Sequence, residues 1–280
     1  MANLRHDVLV TAEDLAAELA SDRPPVVLDI RWRLERPDGW DDYIAGHIRR
    51  AVYVRLDSEL ADPWHPPTRG RHPLPAREDL ENAARGWGID ADSRVVVYDD
   101  NAGLAAARAW WLLRYAGFAD VRLLDGGLKA WTAAGLPLEQ GVFAPERGSV
   151  RLRFGALPVI GIDEVEGFTS YGTLLDARAG ERFRGEVEPI DPVAGHIPGA
   201  VSAPTTGNLD EHGAFLSDAE LRARFEGLGV RPSVAVYCGS GVTAAHEALA
   251  LTLAGYQPAL YPGSWSEWSN HPDRPVELGD

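Results

Sequence analysis

The chain repeats itself, and that repeat limits its fold more than any other feature does. In the first half, Val26-Val27-Leu28-Asp29-Ile30-Arg31 is an apolar run ending in Asp-x-Arg. It is followed in order by Ala45-Gly46-His47-Ile48, Val95-Val96-Val97-Tyr98, and Leu124-Asp125-Gly126-Gly127 with Trp131. The second half answers with Thr173-Leu174-Leu175-Asp176-Ala177-Arg178, Ala194-Gly195-His196-Ile197, Val234-Ala235-Val236-Tyr237, and Tyr261-Pro262-Gly263-Ser264 with Trp268. The offset between the copies runs from 137 residues (Trp131 to Trp268) to 149 (Gly46 to Gly195), so they differ by loop insertions. Within each copy a short β-branched run passes through a polar or glycine-containing turn into an alanine- and leucine-rich stretch, as in Val95 to Tyr98 followed by Leu104 to Ala116. Strands alternating with helices imply parallel βαβ units with right-handed crossovers.

The expectation is an α/β protein of two like domains, each a parallel sheet flanked by helices. Residues 1–140 form the first domain, 141–161 a linker and 162–280 the second. The linker carries Pro145 and Pro158 and lacks helical periodicity, although Val150 to Phe154 alternates like an exposed strand. A second irregular stretch, Asp62 to Ala76, holds five prolines and reads as a loop, either plain surface or one that helps to shape a site.

Composition narrows the function. With 27 Lys+Arg against 42 Asp+Glu the formal net charge is -15, which repels phosphate backbones and anionic lipid surfaces and argues against nucleic acid as a partner. No apolar run approaches the roughly 18 residues of a membrane span, and the first residues do not read as a secretory leader. The expected location is the cytoplasm. A single cysteine, Cys238, excludes both an internal disulfide and a cysteine-rich zinc site, and no metal is expected.

Cys238 ends the Val234 to Tyr237 run and is followed by Gly239-Ser240-Gly241-Val242-Thr243, after which a helical stretch extends to about Ala254 and stops at Gly255. The thiol therefore sits in a strand-to-helix turn, where ligands bind in parallel α/β sheets. Two glycines let the backbone curl its N–H groups inward, and the positive end of the helix lies beside the sulfur. Both effects favour the thiolate. Two chemistries use such a loop. Cysteine phosphatases need an arginine at the position that here is Ala244, because a phosphoryl dianion requires bidentate charge. Sulfur transfer needs only a nucleophilic thiolate that takes one sulfur from a donor, holds it as a persulfide and passes it on. The loop favours the second.

These motifs resemble the rhodanese family, specifically its tandem-domain sulfurtransferases. Gly195-His196-Ile197-Pro198-Gly199-Ala200 matches the family's first signature, and Cys238 to Thr243 with Ala244 matches its catalytic loop. The resemblance implies that the C-terminal copy is catalytic and the N-terminal copy is not, in keeping with Asp99 at the position matching Cys238. It implies an enzyme that moves a sulfane sulfur from thiosulfate or 3-mercaptopyruvate through Cys238 to a thiol, such as thioredoxin or a small thiol, or to cyanide. No metal or organic cofactor is required. The neutral Gly239, Ser240, Gly241, Val242 and Thr243 loop is the form associated with 3-mercaptopyruvate. In that subfamily two arginines grip the donor. The first matches Arg182 and the second falls at Asp191, so either Arg184 or a basic residue of the first domain substitutes, or the donor is thiosulfate. The subfamily also implies a link from Ser240 to a histidine and an aspartate of the first domain, for which His47, with Asp42 or Asp38, is the repeat-anchored candidate. Another reading is a persulfide carrier or redox-sensing module that acts on a protein partner.

Overall fold

The computed structural model describes residues 4–280; residues 1–3, at the start of the first copy, lie outside the described residues. Each β-branched run is a strand, and all strand pairs are parallel. The first sheet holds β1 (Leu9–Val10), β2 (Val26–Asp29), β3 (Ala51–Tyr53), β4 (Val95–Tyr98) and β5 (Val121–Leu124), in the order β1-β5-β4-β2-β3. The second holds β6 (Thr173–Asp176), β7 (Val201–Ser202), β8 (Val234–Tyr237) and β9 (Ala259–Leu260), in the order β7-β6-β8-β9. The central strands β4, β6 and β8 are buried along their whole length, as uninterrupted apolar runs should be when helices cover both faces of a parallel sheet.

The repeat persists at the level of register. Asp29 pairs with Tyr98 across β2 and β4, and Asp176 with Tyr237 across β6 and β8. Each aspartate takes the arginine two residues on in a buried ion pair, Arg31 at 2.9 Å and Arg178 at 2.6 Å. Each arginine also donates to a glycine carbonyl, Gly46 or Gly195. The Asp-x-Arg pattern is thus a framework that ties the strand end to the Gly-His turn. The two histidines of that turn also behave alike. His47 Nδ1 lies 2.9 Å from the Tyr43 carbonyl oxygen and stacks on Tyr43, and His196 Nδ1 lies 2.8 Å from that of Phe183 and stacks on Phe183.

The chain forms two compact units. One contains the residues up to Asp62, Pro75–Ala156 and Asp210–Phe215; the other contains Pro63–Leu74, Leu157–Leu209 and Leu216–Asp280. The change of unit after Ala156 falls inside the 141–161 segment. Two short stretches, residues 63–74 and 210–215, belong to the unit away from their neighbours in sequence. The proline-rich residues 63–74, which the repeat puts in the first half, pack with the second unit. Val150 and Leu152 of the 141–161 segment are buried against the first unit, with Val150 N–H donating to Ile89 O, while Arg151 and Arg153 face outward. The alternation there is real, but the segment is extended chain without a ladder partner rather than a strand.

The tryptophans fill cores. Trp131 joins Leu15, Val27, Val96 and Tyr98 in the first unit, and Trp265 and Trp268 join Val165, Leu174, Ala235 and Tyr237 in the second. Among the described residues no helix is long and apolar enough to cross a membrane.

Candidate active site

Cys238 follows directly on β8, before the helix Thr243–Leu253, and is buried. Gly241 takes a left-handed backbone (φ +78°), which turns the loop so that its N–H donates to Cys238 Sγ at 3.1 Å. The first N–H groups of the helix have no partner within the helix, so the sulfur sits beside donors and the positive helix end.

The start of the helix Ser264–Trp268 fixes the loop from below. Cys238 N–H donates to Ser264 Oγ at 3.1 Å, Trp265 N–H to Cys238 O at 3.0 Å and Ser266 N–H to Gly239 O at 2.9 Å. Ser264 itself has φ +56°, a left-handed conformation uncommon for a residue with a Cβ. Its counterpart in the first copy is Gly127, at φ +57°.

Ser240 meets a histidine, but not the one the repeat anchored. His72 Nδ1 and Ser240 Oγ share a hydrogen bond of 2.7 Å, and both residues are buried. His72 rides on the proline-rich segment, which is pinned by Arg71 N–H donating to Ser266 Oγ at 3.0 Å and by His271 Nε2 lying 3.0 Å from Thr68 O. His47 is instead engaged within the first unit, in the same turn contact that His196 makes in the second. Asp38 and Asp42 also act locally: Asp38 accepts from Trp40 N–H and Tyr53 OH, and Asp42 pairs with Arg36. The candidate serine–histidine link is therefore corrected from His47 to His72.

Arg71, next to His72, lies beside Asp191. A methyl group on Gly239 would lie 3.1 Å from Arg71 Nη2 and 3.4 Å from Arg182 Nη1, so both guanidiniums stand against the Cys238 loop. Asp191 joins them, accepting from Arg71 Nη1 through Oδ1 and from Arg182 Nη2 at 3.1 Å through Oδ2. Glu188 takes Arg182 Nη2 at 2.7 and 2.9 Å, and its carboxyl also faces Arg178. Burial raises the Asp191 carboxyl above its ordinary range against the pull of Arg71. At Glu188 burial also acts upward, but the Asp191 N–H and the Arg182 guanidinium outweigh it and hold that carboxyl low. Arg184 is not brought to this cluster. Its guanidinium pairs with Glu186 at 2.8 and 2.9 Å on a partly exposed edge, so Arg71 and not Arg184 stands beside Arg182.

The matching loop of the first unit is filled by its own side chain. Asp99 accepts four backbone N–H groups, from Asn101, Gly103, Ala105 and Ala106, all at 2.8 or 2.9 Å. Burial pushes this carboxyl up, and the four donors counter it. An anion cradle at the head of a helix is thus present in both copies, with a carboxylate in one and a thiol in the other.

Comparison with known proteins agrees with this architecture. The model of the rhodanese-like domain matches twice, over residues 11–134 and 163–271. A Pseudomonas aeruginosa relative named for 3-mercaptopyruvate sulfurtransfer is 48% identical over 280 residues, covering 97% of this chain and 98% of the relative. A Mycobacterium tuberculosis relative named for thiosulfate sulfurtransfer is 46% identical over 281 residues, covering 98% of each. The crystal structure of SseA from Escherichia coli, described for its rhodanese fold and its action on 3-mercaptopyruvate, superposes with a TM-score of 0.81 at 34% identity, covering 92% of this chain and 98% of that one. The chain belongs to the rhodanese family, among its two-domain sulfurtransferases.

Proposed function

We propose that Cys238 carries sulfur as a persulfide between a small anionic donor and a thiol or cyanide. The observation that supports this most is a buried thiol in a backbone cradle with two guanidiniums, Arg71 and Arg182, against the same loop. The Cys238 thiolate attacks the donor sulfur and a new S–S bond forms. With 3-mercaptopyruvate the C–S bond breaks, its electron pair goes to carbon, and the proton from the donor thiol ends on that carbon to give pyruvate. With thiosulfate the S–S bond of the donor breaks and sulfite leaves with the pair. The outer persulfide sulfur is then attacked by the acceptor, and the Cys238 thiolate leaves.

Each residue has a role consistent with its place. Backbone N–H groups from Gly239 to Thr243 stabilise the negative charge on the persulfide, as preorganised donors do at other anionic intermediates. Arg71 and Arg182 orient the donor's anionic end, since a planar guanidinium suits a carboxylate or sulfonate. The Ser240–His72 pair is placed to pass a proton between donor sulfur and carbon, a task that thiosulfate does not require. The two relatives differ in the donor they are named for, so the preference for 3-mercaptopyruvate rests here on the neutral loop and on the proton relay.

Two variants test the reading. Cys238→Ala should lose turnover with both donors, at least a thousandfold, while its circular dichroism stays that of the wild type. His72→Gln should lower kcat with 3-mercaptopyruvate by about 10²-fold, in the range of a lost proton relay, and leave thiosulfate turnover within a few-fold. Turnover by Cys238→Ala near the wild-type rate would overturn the persulfide role.

A further inference from the structure

Four charged side chains meet beside Gly239, and their sum decides which anion they suit. Arg71 and Arg182 supply two positive charges against the Cys238 loop, and Asp191 and Glu188 supply two negative ones through direct ion pairs. The two carboxylates are nearly enclosed, with side chains 2% and 4% exposed. Solvent therefore screens them little, and the cluster is close to neutral as seen from the loop. Arg71 still has hydrogen-bonding capacity, because its Nε is buried and has no hydrogen-bond partner among the described residues.

We propose that Asp191 is a positioning residue that selects the donor: it holds Arg71 against the Cys238 loop and cancels one guanidinium charge, so that a carboxylate monoanion such as 3-mercaptopyruvate is taken in preference to the thiosulfate dianion. The inference rests on the sulfur-transfer reading of Cys238. A monoanion finds guanidinium N–H donors there and brings one charge into a balanced group. A dianion brings a second charge that nothing in the group compensates.

The test is the ratio of kcat/KM for thiosulfate to that for 3-mercaptopyruvate, with cyanide as the common acceptor. Asp191→Asn raises the cluster charge by one, and Arg71→Gln lowers it by one. At about 6 Å, through an effective dielectric between 20 and 80, one unit charge acting on the donor's extra charge changes the ratio by about three- to a hundredfold. The ratio should rise at least threefold in Asp191→Asn and fall at least threefold in Arg71→Gln, chiefly through KM, with added salt shrinking both changes. The wild type should favour 3-mercaptopyruvate. A ratio that moves the same way in both variants, or in neither, overturns the inference, and so does a wild type that favours thiosulfate, a result needing no variant to fold. If the wild type turns over neither donor, the sulfur-transfer reading itself has failed and the inference falls with it; if it turns over and the ratio stays fixed, only the inference fails.

Discussion

Glu247 shows how far a single residue of this chain is held from its behaviour in water. It lies on the helix Thr243–Leu253 after the Cys238 loop, fully buried, with Oε2 accepting from Asn208 Nδ2 at 2.6 Å and Oε1 without a hydrogen-bond partner among the described residues. Burial raises its carboxyl to about 7, against the lowering by the nearby Arg224 and by hydrogen bonds. Between the ordinary glutamate value of about 4.5 and 7 the folded protein therefore binds a proton that the unfolded chain has released. Stability falls as pH rises through that window, by an amount on the order of 3 kcal/mol. Glu247→Gln should flatten the dependence of unfolding free energy on pH between about 5 and 7, read by urea denaturation at each pH; an unchanged slope would show that Glu247 is ionised in the fold. Next to it, His246 is packed, its Nδ1 2.7 Å from Thr205 Oγ1.

The element that organises the site is the short helix start Ser264–Trp265–Ser266. Ser264 accepts the Cys238 N–H, Trp265 and Ser266 donate to the Cys238 and Gly239 carbonyls, and Ser266 Oγ receives Arg71. In the first copy the corresponding residues are Gly127, Leu128 and Lys129; Leu128 N–H still donates to Asp99 O, but neither hydroxyl is present. The two serines are thus what the second copy adds. Ser264 holds its left-handed backbone at a cost of about 1–2 kcal/mol that glycine would not incur. Ser264→Ala should keep the strain, orphan the Cys238 N–H and lower stability by about 1–3 kcal/mol together with kcat. Ser264→Gly should lose the same hydrogen bond yet be about 1 kcal/mol more stable than the alanine variant by chemical denaturation; the reverse order would show that residue 264 is unstrained.

Much of this site could be read from local sequence. The cysteine loop was legible because strand, two glycines and helix follow one another within a few residues, although the Ser264 to Ser266 contacts that hold it come from 26 or more residues further on. His72 and Arg71 were not legible, because they reach Ser240 and Asp191 across 168 and 120 residues. The repeat pointed to His47, whose twin His196 has the same turn contact, so duplication marked the histidine of the framework and not the one bonded to Ser240. The proline-rich segment has no counterpart in the repeat. The sequence reads it only as an irregular loop, without singling out Arg71 or His72 within it.

Across the whole molecule, one fold has been used twice with opposite contents in the same cradle. Asp99 satisfies four N–H groups with its own carboxylate, so the first unit needs no ligand there, while Cys238 receives the Gly241 N–H and stands next to two guanidiniums. Asp99→Ala should therefore act on stability: it leaves several buried donors without an acceptor and should cost about 2–4 kcal/mol in urea unfolding. A loss below 1 kcal/mol would mean that water takes the carboxylate's place.

The division of labour proposed for the two copies turns on where the sulfur goes. The direct measurement is the intact mass of the protein after separate incubation with 3-mercaptopyruvate and with thiosulfate, followed by peptide mapping, alongside Cys238→Ser. The account predicts the addition of one sulfur atom, located on Cys238, removed by cyanide and absent from the variant. No added sulfur with either donor, while Cys238 remains open to alkylation, would contradict it.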